Sequence, residues 1–270
     1  MTVVLLAVPA MARAQQASDP RVADLVSSGK VRIALFSGQY TKDPVSGELK
    51  GVWADVARAL AARVGVQLVF VEHPTPPTMV ECLKVGGCDV GFLGYDPART
   101  ADVEGFSPPF IEFDYTYLVP AGSSIRSATD VDRLGVRVAV VRAHASTLTL
   151  TRVRKHAELV GADTPDSAFE LLRTSRVDAW ASARHLLVDY SAHLPGSRVL
   201  DDCYGTNRPA VVVAKGKAAR LAYISEFIEE IKASGFVQQA IMRSGWRGVR
   251  VAPPQAHTPN EVRSRCLTGA

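Results

Sequence analysis

The sequence predicts an α/β chain folded as two lobes with a cleft between them, and three observations carry that prediction. β-rich and amphipathic stretches alternate along most of the chain, as in parallel or mixed sheets covered on both faces. They do so in two separate series. Each series is followed by an alternating extended run, FDYTYLVPAG after the first and RPAVVVAKG after the second, so the chain crosses between lobes twice. Open α/β sheets bind ligands beyond the carboxyl ends of their strands, so two such lobes face to face place a site in the cleft and imply hinge closure.

The elements follow in order. DPRVADLVSSGKVRIALFSG reads as a short helix, a glycine turn and a strand over Val31 to Phe36. After a loop with Pro44 and Gly47, GVWADVARALAARVG repeats Val56, Leu60 and Val64 at helical spacing and stops at Gly65. VQLVFVEH is a strand, PPTMVECLKVGG a helix and CDVGFLGY a strand. The second series opens at DVDRLGVRVAVVRAHASTLTLTRVRKH, with a strand over Val136 to Val141 and Ser146 placed to cap the next helix. TPDSAFELLRTSRVDAWAS repeats helix then strand, with Trp180 in the core. AARLAYISEFIEEIKASGF is a long amphipathic helix whose stripe includes Leu221, Ile224, Phe227, Ile228 and Ile231. This division gives lobe one about 20–114 plus 210–270, lobe two about 118–206, and hinges at about 113–119 and 206–212.

Of 270 residues, 47% are hydrophobic and 21% charged, and the net charge of +4 is scattered. No basic stripe speaks for nucleic acid as a partner. The first fourteen residues, MTVVLLAVPAMARA, form an apolar run ending in Ala12-Arg13-Ala14, which fits a signal peptide cleaved after Ala14, although the usual positive start is missing. No later stretch has the roughly eighteen apolar residues of a membrane span, so a soluble exported chain, monomeric, is expected. Four cysteines allow three pairings. Cys82 and Cys88 flank a helix end and a Gly-Gly turn and can meet locally, leaving Cys203 and Cys266 to tie a loop to the C-terminal tail. There is no CxxC and no histidine near the cysteines in sequence, so neither a zinc site nor a cofactor is expected.

The stretch YDPARTADVEGFSPPF places Arg99 in a turn off a strand end, where it is either a solvated charge or a guanidinium presented to an anion. Here a family appears. GVWADVARALA, CLKVGGCDVGFLGYDPARTADVEGFSPPF and YTYLVPAGS, in that order and over about Val31 to Phe236, resemble the type II periplasmic solute-binding proteins of ABC importers, family 3, the amino-acid-binding group. The resemblance implies the two-lobed type II fold, a periplasmic location, a small anionic or zwitterionic solute and a membrane permease as partner. It also implies that Arg99 grips the ligand carboxylate through a two-pronged hydrogen bond, a match that guanidinium geometry favours independently. The amides of Gly94 and Tyr95 are expected to help hold the anion. Phe36 and Tyr40 fall where the family has an aromatic wall, Trp53 is either cleft lining or core, and His144 and Ser146 begin the second-lobe helix that faces the ligand. Thr75 and Thr78 lie at the cleft edge.

Two departures from the family pattern matter. The threonine that usually precedes the arginine by three residues is Asp96 here, which either orients Arg99 or partly neutralises it. The second-lobe aspartate that pairs with an α-ammonium falls at Ala183, followed by Arg184. A buried ammonium would have no counter-charge there, so a carboxylate or dicarboxylate held by Arg99 and Arg184 is expected, Arg184 being otherwise a surface charge. The expected function is solute capture rather than catalysis. The alternatives are a dehydratase on the same fold, for which Asp96 and His144 are the evident acids, and a sensor lobe that serves a membrane receptor.

Overall fold

The computed structural model describes residues 19–96 and 99–254. The apolar N-terminal run and Cys266 lie outside the described residues.

Seven elements build the first sheet and its cover: β1 (Lys30–Phe36), α1 (Val52–Val64), β2 (Gln67–His73), α2 (Pro76–Lys84), β3 (Val90–Gly94), and later β9 (Pro209–Val212) and α6 (Ala218–Ala233). Helix α1 ends where Gly65 turns left-handed at φ 79°, a conformation that costs glycine no Cβ clash. The strand order is β9-β3-β1-β2, with β1, β2 and β3 parallel and β9 antiparallel to β3. Alternate residues feed opposite faces: Val31, Ile33 and Leu35 join the core under α1 and α6, whereas Ala34 joins Met79 and Leu83 of α2.

The second sheet contains β4 (Ile111–Val119), β5 (Arg137–Val141), β6 (Glu158–Ala162) and β7 (Ala179–Ala183) in the order β4-β7-β5-β6. Its helices are α3 (Ala145–Val153), α4 (Pro165–Arg173) and α5 (Arg184–Ser191). Again both faces are buried: Val138, Val140, Ala179 and Ala181 pack on one side, and Ala139, Val141 and Trp180 on the other. Trp180 is wholly buried, as the sequence predicts.

One strand belongs to both lobes. Ile111, Phe113 and Tyr115 of β4 pack in the first core, and Tyr117, Leu118 and Val119 in the second-sheet cores. The return path is β8 (Gly205–Asn207), antiparallel to β4 with Gly205 opposite Tyr115 and Asn207 opposite Phe113. Two elements were not read from the pattern, α5 and a C-terminal α7 (Phe236–Ser244). Both are short, and α5 abuts β7 without an intervening turn residue to mark its start.

Two local expectations are corrected. Ser146 does not cap α3; His144 occupies the cap position and makes no side-chain cap bond, so Ser146 falls within the first turn. Thr75 and Thr78 close a reciprocal capping box on α2 instead of reaching into the cleft. Cys82 and Cys88 form a disulfide, and Cys203 is disulfide-bonded as well. No helix among the described residues is long and apolar enough to cross a membrane.

Candidate functional site

The carboxyl ends of four strands converge on one cavity of about 60 Å³. Its walls come from Phe36–Gln39 after β1, Gly94 and Arg99 after β3, His144–Ser146 after β5, and Ser182, Ala183, His185 and Leu186 around the end of β7, with Trp53, Phe113, Tyr115, Asn207 and Pro209 completing it. This is the placement that strand polarity dictates for α/β sheets.

Arg99 is 8% exposed and spans the cleft. It donates to Gly94 O at 3.1 Å in its own lobe and to Ala143 O at 2.7 Å in the other. Burial disfavours its charged form, while the charge of Asp96 nearby favours it. The acceptor residue Ala143 holds a left-handed backbone at φ 60°, a conformation unfavourable for a residue with a Cβ and one that turns the chain from β5 into α3. Gly94 allows a close approach: a Cβ there would meet Asn207 Oδ1 at 2.5 Å and Ala145 Cβ at 3.0 Å, so a side chain would force its neighbours to shift.

Lobe two presents the starts of α3 and α5 to the cavity. Neither helix has a side-chain cap, His144 and Ala183 occupying the cap positions, and first-turn residues of both, Ala145 and Ser146 of α3 and His185 and Leu186 of α5, line the cavity near the positive end of each helix field. Ala183 lines the cavity, which places the departure noted in the sequence at the wall itself. Among the described residues that line the cavity there is no aspartate or glutamate.

Two histidines line the cavity as well. Burial and the charge of Arg99 lower the His144 pKa to about 4, and its ring stands edge-on to Phe36 at 5.6 Å. Burial lowers that of His185 to about 3. His185, from lobe two, is boxed by lobe-one rings, with Phe113 at 4.6 Å, Trp246 at 4.7 Å and Trp53 at 6.3 Å. Among the described residues that line the cavity, four buried polar atoms have no hydrogen-bond partner: Trp53 Nε1, Tyr115 Oη, His185 Nδ1 and Asn207 Oδ1. Such atoms are costly in a folded protein unless something else satisfies them.

The structure brings Phe36, Trp53, Gly94, Arg99, His144 and Ser146 of the anticipated residues to the cavity. Four others lie elsewhere. Tyr40 packs against the lobe-one core and bonds Glu72, which with burial raises its pKa to about 12. Tyr95 is 44% exposed against Phe106, and its amide donates to Arg208 O at 3.4 Å, so it has no N–H to offer an anion. Asp96 is 1% exposed and accepts from Arg152 of α3 at 2.7 Å, an ion pair across the cleft. Arg184 turns away from the cavity and donates to the carbonyls of Leu200, Asp201 and Asp202 at 2.7, 2.7 and 3.2 Å.

Sequence reading missed Gln39, Tyr115, Ser182, His185 and Asn207. Gln39 is 4% exposed, accepts from Phe36 N at 3.1 Å and donates to Phe92 O at 3.0 Å, which shapes the loop after β1. The polar residues Tyr115, in the first crossing run, and Asn207, just before the second, were the available signal, because the runs line any cleft they cross.

Comparison with known proteins agrees with the geometry. The family model for bacterial extracellular solute-binding proteins, family 3, matches residues 38–245. The chain belongs to that family. No curated protein matches this family 3 chain in sequence. A receptor for L-cysteine from Neisseria gonorrhoeae superposes with a TM-score of 0.74 at 21% identity, over 83% of this chain and 92% of that one. An ancestral amino-acid-binding protein, a precursor of cyclohexadienyl dehydratase, gives 0.72 at 22% identity over 82% and 98%. An arginine-bound substrate-binding protein of an amino acid ABC transporter from Streptococcus pneumoniae gives 0.72 at 19% over 85% and 100%. These likenesses show that the family 3 protein shares their two-lobed fold.

Proposed function

We propose that this family 3 protein is the periplasmic binding component of an ABC importer, exported by its N-terminal apolar run, and that it captures a small organic acid lacking an α-ammonium group. The observation that carries the reading is the charge inventory of the cavity: one buried guanidinium, two uncapped helix starts and no carboxylate among the described lining residues. Arg99 gives an acid a charged fork, and the helix starts of lobe two give it N–H donors on the opposite side. An amino acid would bring an ammonium to a wall where Ala183 offers nothing to pair with it. The unpartnered atoms of Trp53, Tyr115, His185 and Asn207 give the rest of the solute polar partners, and the small volume favours a short acid over a long side chain.

Capture rather than catalysis fits the state of the two candidate acids. Asp96 is engaged with Arg152, and His144 is held neutral by burial and by Arg99. Calorimetric titration tests the reading. Short organic acids are expected to bind at micromolar concentrations and neutral amino acids far more weakly. Ala183→Asp is expected to invert that order, because it supplies the missing counter-charge. Micromolar binding of a neutral amino acid by the unaltered protein overturns the proposal.

A further inference from the structure

Away from the solute cavity, the fold gathers three metal-competent donors that the sequence keeps apart. His73 ends β2, Cys82 lies on α2 and Cys88 follows the Gly86–Gly87 turn, and their donor atoms all lie within 4.8 Å of one another. His73 Nε2 stands 3.7 Å from Cys88 Sγ. Two donors on one tetrahedral zinc, with legs of about 2.0 and 2.3 Å, are separated by roughly 3.5 Å. The ring is therefore already at ligating distance from one sulfur. In the oxidised protein the sulfurs are bonded to each other.

We propose that reduction of Cys82–Cys88 converts this cluster into a two-sulfur, one-nitrogen site for a thiophilic d10 cation such as Zn²⁺. The reductant is a dithiol. One of its thiolates attacks Cys82 Sγ, since Cys82 is the more exposed residue of the pair and Cys88 is only 2% exposed. The Cys82–Cys88 bond breaks and Cys88 leaves as a thiolate beside His73. The second thiolate of the reductant then attacks the mixed disulfide, releasing Cys82 as a thiolate and closing the reductant's own disulfide. Two electrons and two protons have passed from the dithiol to the cysteines. Zn²⁺ displaces those two protons, takes His73 Nε2 as third ligand and keeps water as the fourth.

The surrounding chain permits the change. The sulfurs must spread to roughly 3.8 Å to share one ion with zinc–sulfur legs of about 2.3 Å, and their Cα atoms are 5.3 Å apart on either side of a Gly-Gly turn. Gly87 leaves open the space beside Cys82, since a Cβ at that position would lie 3.0 Å from its sulfur. Cys88 borders a surface cavity of about 320 Å³, which gives an ion an entry, while Cys82 is itself partly exposed to a reductant. The backbone carbonyl of His73 accepts from Ser37 N at 3.0 Å, and Ser37 lines the solute cavity, so the backbone of one ligand residue is one hydrogen bond from a residue of the solute site.

Cobalt titration tests the proposal on the mature full chain, reduced with a dithiol and desalted without oxygen. The reduced protein is expected to take up one equivalent of Co²⁺ with thiolate-to-metal absorption and tetrahedral d–d bands, which Zn²⁺ then bleaches; the oxidised protein shows neither. The Cys82→Ser, Cys88→Ser double variant is expected to lose the signal. His73→Ala is expected to weaken binding by about tenfold or more, in the range seen when a metal site's support is removed, and to shift the d–d bands. Equal uptake by reduced and oxidised protein overturns the proposal. So does an unchanged spectrum in His73→Ala, or a signal that survives in the double variant. Circular dichroism controls for folding: a reduced chain that loses its helical signal and does not recover it with Co²⁺ counts equally against the site.

Discussion

The two lobes contribute to the cavity in different ways. Lobe one supplies side chains: the Arg99 guanidinium and the rings of Phe36, Trp53 and Phe113. Lobe two supplies the uncapped starts of α3 and α5, with the side chains of His144, Ser146 and His185 beside them. The contrast extends to helices beyond the cavity. Helices α2 and α4, which follow the outer strands β2 and β6, each begin with a reciprocal capping box, Thr75 with Thr78 and Thr164 with Ser167. Those two starts are closed by their own side chains, and the two that lobe two aims at the cavity are open. Helices α1 and α6 also lack a side-chain cap, and the first turn of α1 reaches the cavity through the Trp53 ring. A capping side chain on α3 or α5 would compete with a solute for the same N–H groups.

The largest effect should come from the lobe-one half of this division. Arg99→Ala is expected to weaken acid binding a hundredfold or more, within the roughly 2–5 kcal/mol of truncating one partner of a buried charge pair. Ligand-induced thermal stabilisation should disappear with it. An unchanged thermal shift would move the anion to the helix starts alone and break the comparison.

Acid should act next, through the histidines that join the halves. His144 and His185 have folded pKa values of about 4 and about 3, against an ordinary value of 6.5. Between those limits the unfolded chain binds more protons than the folded one, so stability rises with pH across the window. Their contribution is complete above about 6.5 and is lost as pH falls toward 4 and below. Thermal melts from pH 7 to pH 4 should show a falling midpoint, and His185→Phe, which keeps the aromatic box, should flatten the fall. A pH-independent midpoint in the unaltered protein would detach both rings from the closed lobes.

The smallest effect on binding is expected at the other arginine. Arg184→Ala should change acid affinity less than about threefold, because its hydrogen bonds go to carbonyls of the 200–202 segment. Its cost should appear in stability, at about 1–3 kcal/mol for stranding those acceptors. Calorimetry and a denaturant melt on the same variant separate the two, and a large loss of affinity with intact stability would return Arg184 to the site.

Much of this was legible in the chain. Helical spacing of Val56, Leu60 and Val64, the β-rich runs between glycines, and the two crossing runs give the lobes, because burial of alternating or every-third-to-fourth residues is a local property. The turn carrying Arg99 and the alanine at position 183 were readable in the same way. Direction was not. Arg99 and Arg184 both lie just beyond a strand, and nothing local says that one guanidinium spans the cleft while the other ties down a loop.

By itself, then, the sequence determined the alternation of elements, two arginines just beyond strand ends and the alanine at position 183. Only the tertiary structure decided which polar groups meet: Tyr115, His185 and Asn207 at one cavity, Asp96 with Arg152 across it, and His73 with Cys88 beneath α2. The physical reason is reach. Periodicity constrains which face of an element is buried, whereas contacts between distant residues depend on strand register, on how two lobes close, and on rotamers chosen by neighbours that the local pattern does not contain.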